Sequence, residues 1–145
     1  MVIGAPGASP AGRAGAGEVF LFLGPVTTAG AVQLSSANVV FYGAAAGYQA
    51  GARMATGDIN RDTPNDLVIN EAGGSSGAGT LEIYYGRSRS SIGTLVGSQR
   101  VVDFAAGGQA NRRIFGDAAT GPIRAVQVFG VTGEGARATI VGVPA

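Results

Sequence analysis

The loop Asp58-Ile59-Asn60-Arg61-Asp62-Thr63-Pro64-Asn65-Asp66 carries oxygen-bearing side chains at its first, third, fifth and ninth positions, and the apolar run Leu67-Val68-Ile69 follows at once. A tight loop can aim alternate side chains inward while a backbone carbonyl, here that of Pro64, fills a further position. This is the spacing of a calcium loop, because a hard cation of that size takes about six to eight oxygen ligands at ~2.3–2.6 Å. Three carboxylates on one short loop also repel each other unless a cation lies among them. The expected ligands are the side chains of Asp58, Asn60, Asp62 and Asp66 with the Pro64 carbonyl, and the expected cofactor is Ca²⁺, bound to rigidify the hairpin. The alternative is an Asx-type turn, in which the same side chains cap the loop's own backbone without any ion.

The elements that must hold this loop follow from repetition. Val2-Ile3-Gly4-Ala5-Pro6, Val68-Ile69-Asn70-Glu71-Ala72 and Ile140-Val141-Gly142-Val143-Pro144 are versions of one apolar strand, separated by 66 and then 72 positions. Gly17-Glu18-Val19-Phe20-Leu21-Phe22-Leu23-Gly24 matches Gly79-Thr80-Leu81-Glu82-Ile83-Tyr84-Tyr85-Gly86, and Phe41-Tyr42-Gly43 matches Ile114-Phe115-Gly116. Three signatures in a fixed order mark supersecondary units that bury their faces by stacking on copies of themselves. The 26 glycines and the short apolar runs favour brief strands joined by turns over long helices. The predicted fold is all-β, a partial β-propeller of four-stranded antiparallel blades within one unit spanning 1–145, with repeats at roughly 1–43, 44–115 and 116–145. In blade order the strands fall at B 2–5, C 18–23, D 32–41, A 52–57, B 66–70, C 80–85, D 95–104, A 123–129 and B 139–143.

The calcium loop, the strand ending Gly-Ala-Pro and the Phe-x-Gly-like turn together resemble the FG-GAP repeats of integrin α-subunit β-propellers and their bacterial relatives. The resemblance covers nearly the whole chain. It implies blades around a central channel, calcium in the hairpin between a blade's first two strands, and an extracellular or cell-surface setting, although Met1-Val2-Ile3 does not open a signal segment. The chain departs from the family at Arg61 and Thr63, where the family often places glycine. The third copy of the loop, Gly130 to Ala138, keeps turn glycines but lacks the ligands, so no calcium is expected there. Little more than two blades leaves both flanks open, which predicts a homo-oligomer, most simply a dimer or trimer, against the alternative of a fragment of a longer propeller.

Other residues bear on function. Glu71 stands where the other copies have Ala5 and Val143, either as a solvated strand end, the favoured reading, or as an acid of shifted pKa beside the calcium loop. Arg53 and Arg124 open the inner strands, so copies could ring a channel mouth. Arg87, Arg89, Arg100, Arg112 and Arg113 lie in or near expected loops as solvated charges. Tyr42, Tyr48, Tyr84, Tyr85 and the phenylalanines follow strand spacing and are expected in the core between blades. The chain has no Cys or His and all ten of its basic residues are Arg, which removes Ser-His-Asp, Cys-His, histidine-zinc and Schiff-base chemistry. Two readings remain. One is a calcium-stabilised binding or adhesion module for protein or carbohydrate partners. The other is a metal-assisted phosphodiester hydrolase, with Glu71, Arg53 and Arg124 as candidate catalytic groups. Nucleic-acid binding without chemistry lacks a basic tract interleaved with aromatics. No apolar run is long enough to span a membrane as a helix.

Overall fold

The structure, a computed structural model, describes residues 1–24, 30–117, 119, 123 and 126, and the backbone of 128–131 and 137–140. The chain is all-β, its strands joined by loops and single 3₁₀ turns. They are β1 (Val2–Ala5), β2 (Glu18–Leu21), β3 (Val39–Tyr42), β4 (Ala50–Gly57), β5 (Asp66–Glu71), β6 (Thr80–Tyr84), β7 (Thr94–Val96), β8 (Gln99–Asp103), β9 (Arg112–Phe115), β10 (Val128–Val131) and β11 (Arg137–Ile140). A first sheet runs β1-β2-β3-β8-β7, a second runs β4-β5-β6-β9, and β10 and β11 form a hairpin. Every neighbouring pair is antiparallel except β3 and β8, which are parallel.

The repeat is visible in backbone contacts. The Gly43 amide donates to the Gly17 carbonyl at 2.9 Å, and the Gly116 amide donates to Gly79 at 2.8 Å. The Ala50 amide meets the Ala16 carbonyl, and the Ile123 amide meets Ala78, both at 2.8 Å. A Cβ on Gly43 would fall 1.9 Å from the Ala16 carbonyl oxygen, and one on Gly116 would fall 2.0 Å from that of Ala78. Only glycine permits this approach, so the third sequence signature is a steric requirement at equivalent points of two sheets.

Burial follows the side-chain alternation of the strands. Val19, Val39 and Phe41 of the first sheet pack against Leu67, Ile69 and Tyr84 of the second, with Ile92, Val102 and Phe104 closing the cluster. The rings of Phe41 and Tyr84 lie 5.0 Å apart, and Phe104 lies about 6 Å from each. The other face of the second sheet, Val68, Leu81 and Ile83, meets Ile123 and Val126. Strand β5 is buried along its whole length, because it is central in its sheet and covered on both faces.

Most expected strands are present with ends moved by a residue or two, but one pairing differs. Positions 95–104 were expected to complete the second repeat as its fourth strand. They form instead the β7–β8 hairpin, which adds to the first sheet through β8, in register Val39↔Arg100 to Tyr42↔Asp103. The fourth strand of the second sheet is β9, whose Phe115-Gly116 end is the equivalent of Tyr42-Gly43. The apolar alternation around Val101-Val102 reads correctly as strand, but partner choice across the chain is not encoded in a local pattern. The expected 32–41 strand is confined to β3, with a 3₁₀ turn at Leu34–Ser36 before it. Of the final A strand expected at 123–129, 128 and 129 fall in β10 while 124, 125 and 127 lie outside the described residues; of the final B strand expected at 139–143, 139 and 140 fall in β11 while 141–143 lie outside them. Aromatic burial holds for Phe41 and Tyr84, whereas Phe115, on the outer strand β9, is 63% exposed.

Candidate functional site

The loop between β4 and β5 is shaped by its own acids. Asp66, 1% exposed, accepts from the Ile59 amide at 2.7 Å and the Asn60 amide at 3.2 Å through Oδ2, and from the Gly86 amide at 2.8 Å through Oδ1. It thereby ties the loop to the end of β6. Oδ1 of Asp58 and Oδ1 of Asn60 both accept from the Asp62 amide at 3.1 Å, so the two oxygens converge on one point. Oδ2 of Asp58 accepts from the Thr63 amide at 3.1 Å, and the Asn60 side-chain amide donates to Asp62 Oδ2 at 2.7 Å. These bonds are those of an Asx-type turn, and they also gather the oxygens of three side chains on one exposed loop.

The backbone carries a further signal. Arg61 and Thr63 have φ of 65° and 84°, a left-handed conformation costly for a β-branched residue such as Thr63. They are the two positions at which the family resemblance implies glycine, so the loop keeps a glycine-adapted shape without the glycines. Thr63→Gly is accordingly expected to stabilise the protein by roughly 1 kcal/mol, read as a rise in denaturant midpoint at unchanged slope. A fall in the midpoint would mean that the Thr63 side chain holds the loop.

Among the described residues no three His, Cys, Asp or Glu side chains gather into a metal-ligand group. A cation at this loop would be held by the expected set, the side-chain oxygens of Asp58, Asn60, Asp62 and Asp66 with the Pro64 carbonyl, although both Asp66 oxygens already accept from backbone amides. All are hard oxygen donors, which suits calcium and gives no thiolate or imidazole to a softer metal.

Glu71 lies at the other end of β5. Five residues of extended strand, about 16 Å, separate it from Asp66, so it is not beside the loop. Nor is it a solvated strand end, since it is 2% exposed. Its Oε1 accepts from the Ala44 amide, just after the end of β3, at 2.7 Å. Burial pushes its carboxyl up to about 7, against the Ala44 hydrogen bond, with Glu82 raising it further and Arg113 and Arg13 lowering it. Glu82 on β6 is 1% exposed and paired with Arg113 Nε on β9 at 2.6 Å, while its Oε2 has no partner among the described residues. Burial raises the Glu82 pKa despite that ion pair. Arg13 binds Asp103 at 2.8 Å and the Gly43 carbonyl at 3.0 Å, joining the first repeat's turn to the end of β8.

Of the other catalytic candidates, Arg53 is exposed on β4, and Arg124 lies outside the described residues. Arg53 thus faces solvent while Glu71 is enclosed. Arg113 is no solvated loop charge but the counter-ion of a buried acid, and Arg100 donates to the carbonyls of Ile92 and Gly93. Glu82 carried a signal that sequence reading passed over: one acid inside the strand Leu81-Glu82-Ile83-Tyr84 requires a partner if the strand is central. At the loop end of the two sheets a cleft of about 620 Å³ opens, lined in part by Leu21, Met54, Leu67, Tyr85 and Arg87 and by Pro64 to Asp66 of the loop. No protein-family model matches this chain, and no curated protein matches it in sequence.

Proposed function

We propose that the chain is a calcium-stabilised binding module built from FG-GAP-type, integrin-like repeats, whose sheets act as propeller blades completed by further copies of the same chain. The observation that carries this reading is the loop from Asp58 to Asp66. Its backbone is left-handed at the two positions where glycine belongs in such loops, and side-chain oxygens of Asp58 and Asn60 meet at the Asp62 amide. The matched glycine contacts of the two sheets support the blade reading, since stacked repeats use one contact many times. The apolar cleft beside the loop offers a protein or carbohydrate partner a surface that calcium in the loop would stiffen. Phosphodiester hydrolysis gains nothing from the geometry, because its candidate acid is enclosed and far from the loop.

The test combines mass and stability in calcium and in chelator. At a calcium concentration a hundred times the dissociation constant, binding to the folded state adds about 2.7 kcal/mol. The melting temperature should then rise by roughly 5–10 °C for a chain of this length. Asp62→Ala should abolish most of that rise. Sedimentation at micromolar concentration should show the oligomer and no folded monomer. Equal response of parent and variant would reduce the loop to a turn, and a stable folded monomer would remove the assembly.

A further inference from the structure

We propose that Glu71 and Glu82 form an acid-tightened joint between the two sheets, in which one proton taken up by the pair draws the sheets together and its loss loosens them. The geometry is that of an interface. Glu71 pairs in register with Thr80 and Glu82 with Ile69, so the two acids are diagonal neighbours on the same face of the second sheet. That is the face that packs on the first sheet, since Ile69, Leu67 and Tyr84 belong to the core shared by both. Glu71 reaches across to the Ala44 amide just after β3 of the first sheet, and Glu82 is held from its own sheet by Arg113.

The charges do not balance. The groups facing the pair are Arg113 on β9, Tyr84 on β6 with its hydroxyl unpartnered among the described residues, and Arg13, which Asp103 of β8 already neutralises. Among the described residues, two buried carboxylates thus share one unspent cation. A second buried charge without a partner is costly, and the pair escapes the cost by binding a proton. The unpartnered Glu82 Oε2 marks where polar satisfaction is incomplete when both acids are ionised. Uptake of one proton removes the surplus charge from the interface, and the pair titrates as a unit.

The sign follows from burial. The folded chain holds this proton up to about pH 7, whereas an unfolded glutamate releases it near the model value of 4.5. Between those limits the folded state binds more protons than the unfolded one, so stability falls as pH rises through the window. This is opposite to the behaviour of a salt-bridged surface acid.

The experiment is run in chelator, so that failure of the calcium reading leaves it intact. Carboxyl-carbon NMR of the parent should show one glutamate of this pair titrating near neutrality. The melting temperature should be higher at pH 5.5 than at pH 8 by roughly 5 °C or more. In Glu71→Gln, which keeps the acceptor for Ala44 without the charge, that difference should largely vanish, the variant at pH 8 matching the parent at low pH. Amide exchange in residues 41–48, corrected for intrinsic rate, should increase from pH 6 to pH 8 in the parent only. Both glutamates titrating in the ordinary range, or parallel pH profiles for parent and variant, would overturn the joint. If Glu71→Gln does not fold, Glu82→Gln and the parent's own NMR titration decide.

Discussion

Arg113→Ala is expected to cost about 3–5 kcal/mol at neutral pH, because it leaves the Glu82 carboxylate buried without its counter-ion. Glu82 is 1% exposed, its Oε1 lies 2.6 Å from Arg113 Nε, and its other oxygen is already unpartnered among the described residues. The arginine is itself partly exposed and also donates to the Gly107 carbonyl, so its own desolvation is incomplete and the loss falls mainly on the acid. Adding Glu82→Gln to the variant should recover most of the stability, since a neutral amide does not need the cation. Denaturant unfolding of the four proteins in the double-mutant cycle measures the coupling. A cost below about 1 kcal/mol, the range of exposed ion pairs, without extra proton uptake on folding would place Glu82 in contact with water and remove the buried network.

The second large effect is expected from Phe41→Ala, at about 3–5 kcal/mol. Phe41 is 1% exposed and contacts rings from two different segments, Tyr84 of β6 and Phe104 after β8. Truncation opens a cavity where three pieces of chain meet, and the glycine-fixed approach of the backbones at Gly43 limits how far the sheets can collapse into it. The internal control is Phe115→Ala, one position beyond Ile114, the repeat's counterpart of Phe41. At 63% exposed, Phe115 should cost no more than about 0.5 kcal/mol when truncated. Similar losses at both positions would contradict the placement of the shared core.

The sequence displayed the fold wherever repetition and local chemistry coincide. The strands at Val2–Ala5 and Asp66–Glu71, the glycine-bounded aromatic strands, and the match of Tyr42-Gly43 with Phe115-Gly116 were all legible, because one steric need recurs in each repeat. The acid loop was legible as a loop, since Asp and Asn at alternate positions cap the backbone amides of such a turn. Illegible were the features that depend on distant pairing. Nothing near Gln99–Asp103 announces a parallel partner at Val39–Tyr42, and nothing beside Arg13 announces Asp103. Glu71 was singled out by its departure from the repeat, yet its surroundings could not be, since burial is a property of what packs over a strand. Solvated is the ordinary fate of a glutamate, and here the ordinary expectation failed.

The parallel pairing of β3 with β8 has a kinetic consequence. Val39 meets Arg100, sixty-one positions later, whereas the hairpins within each repeat close over far shorter loops. Stacked repeats ordinarily fold by nucleating anywhere and spreading to the next unit. Here the first sheet is not complete until a segment made after most of the second has returned to its edge. The two repeats therefore fold as one cooperative step, slowed by the long loop that must close before β8 contributes anything. During synthesis the edge of β3 stays open until residue 103 has emerged, an interval in which another nascent chain can pair there instead.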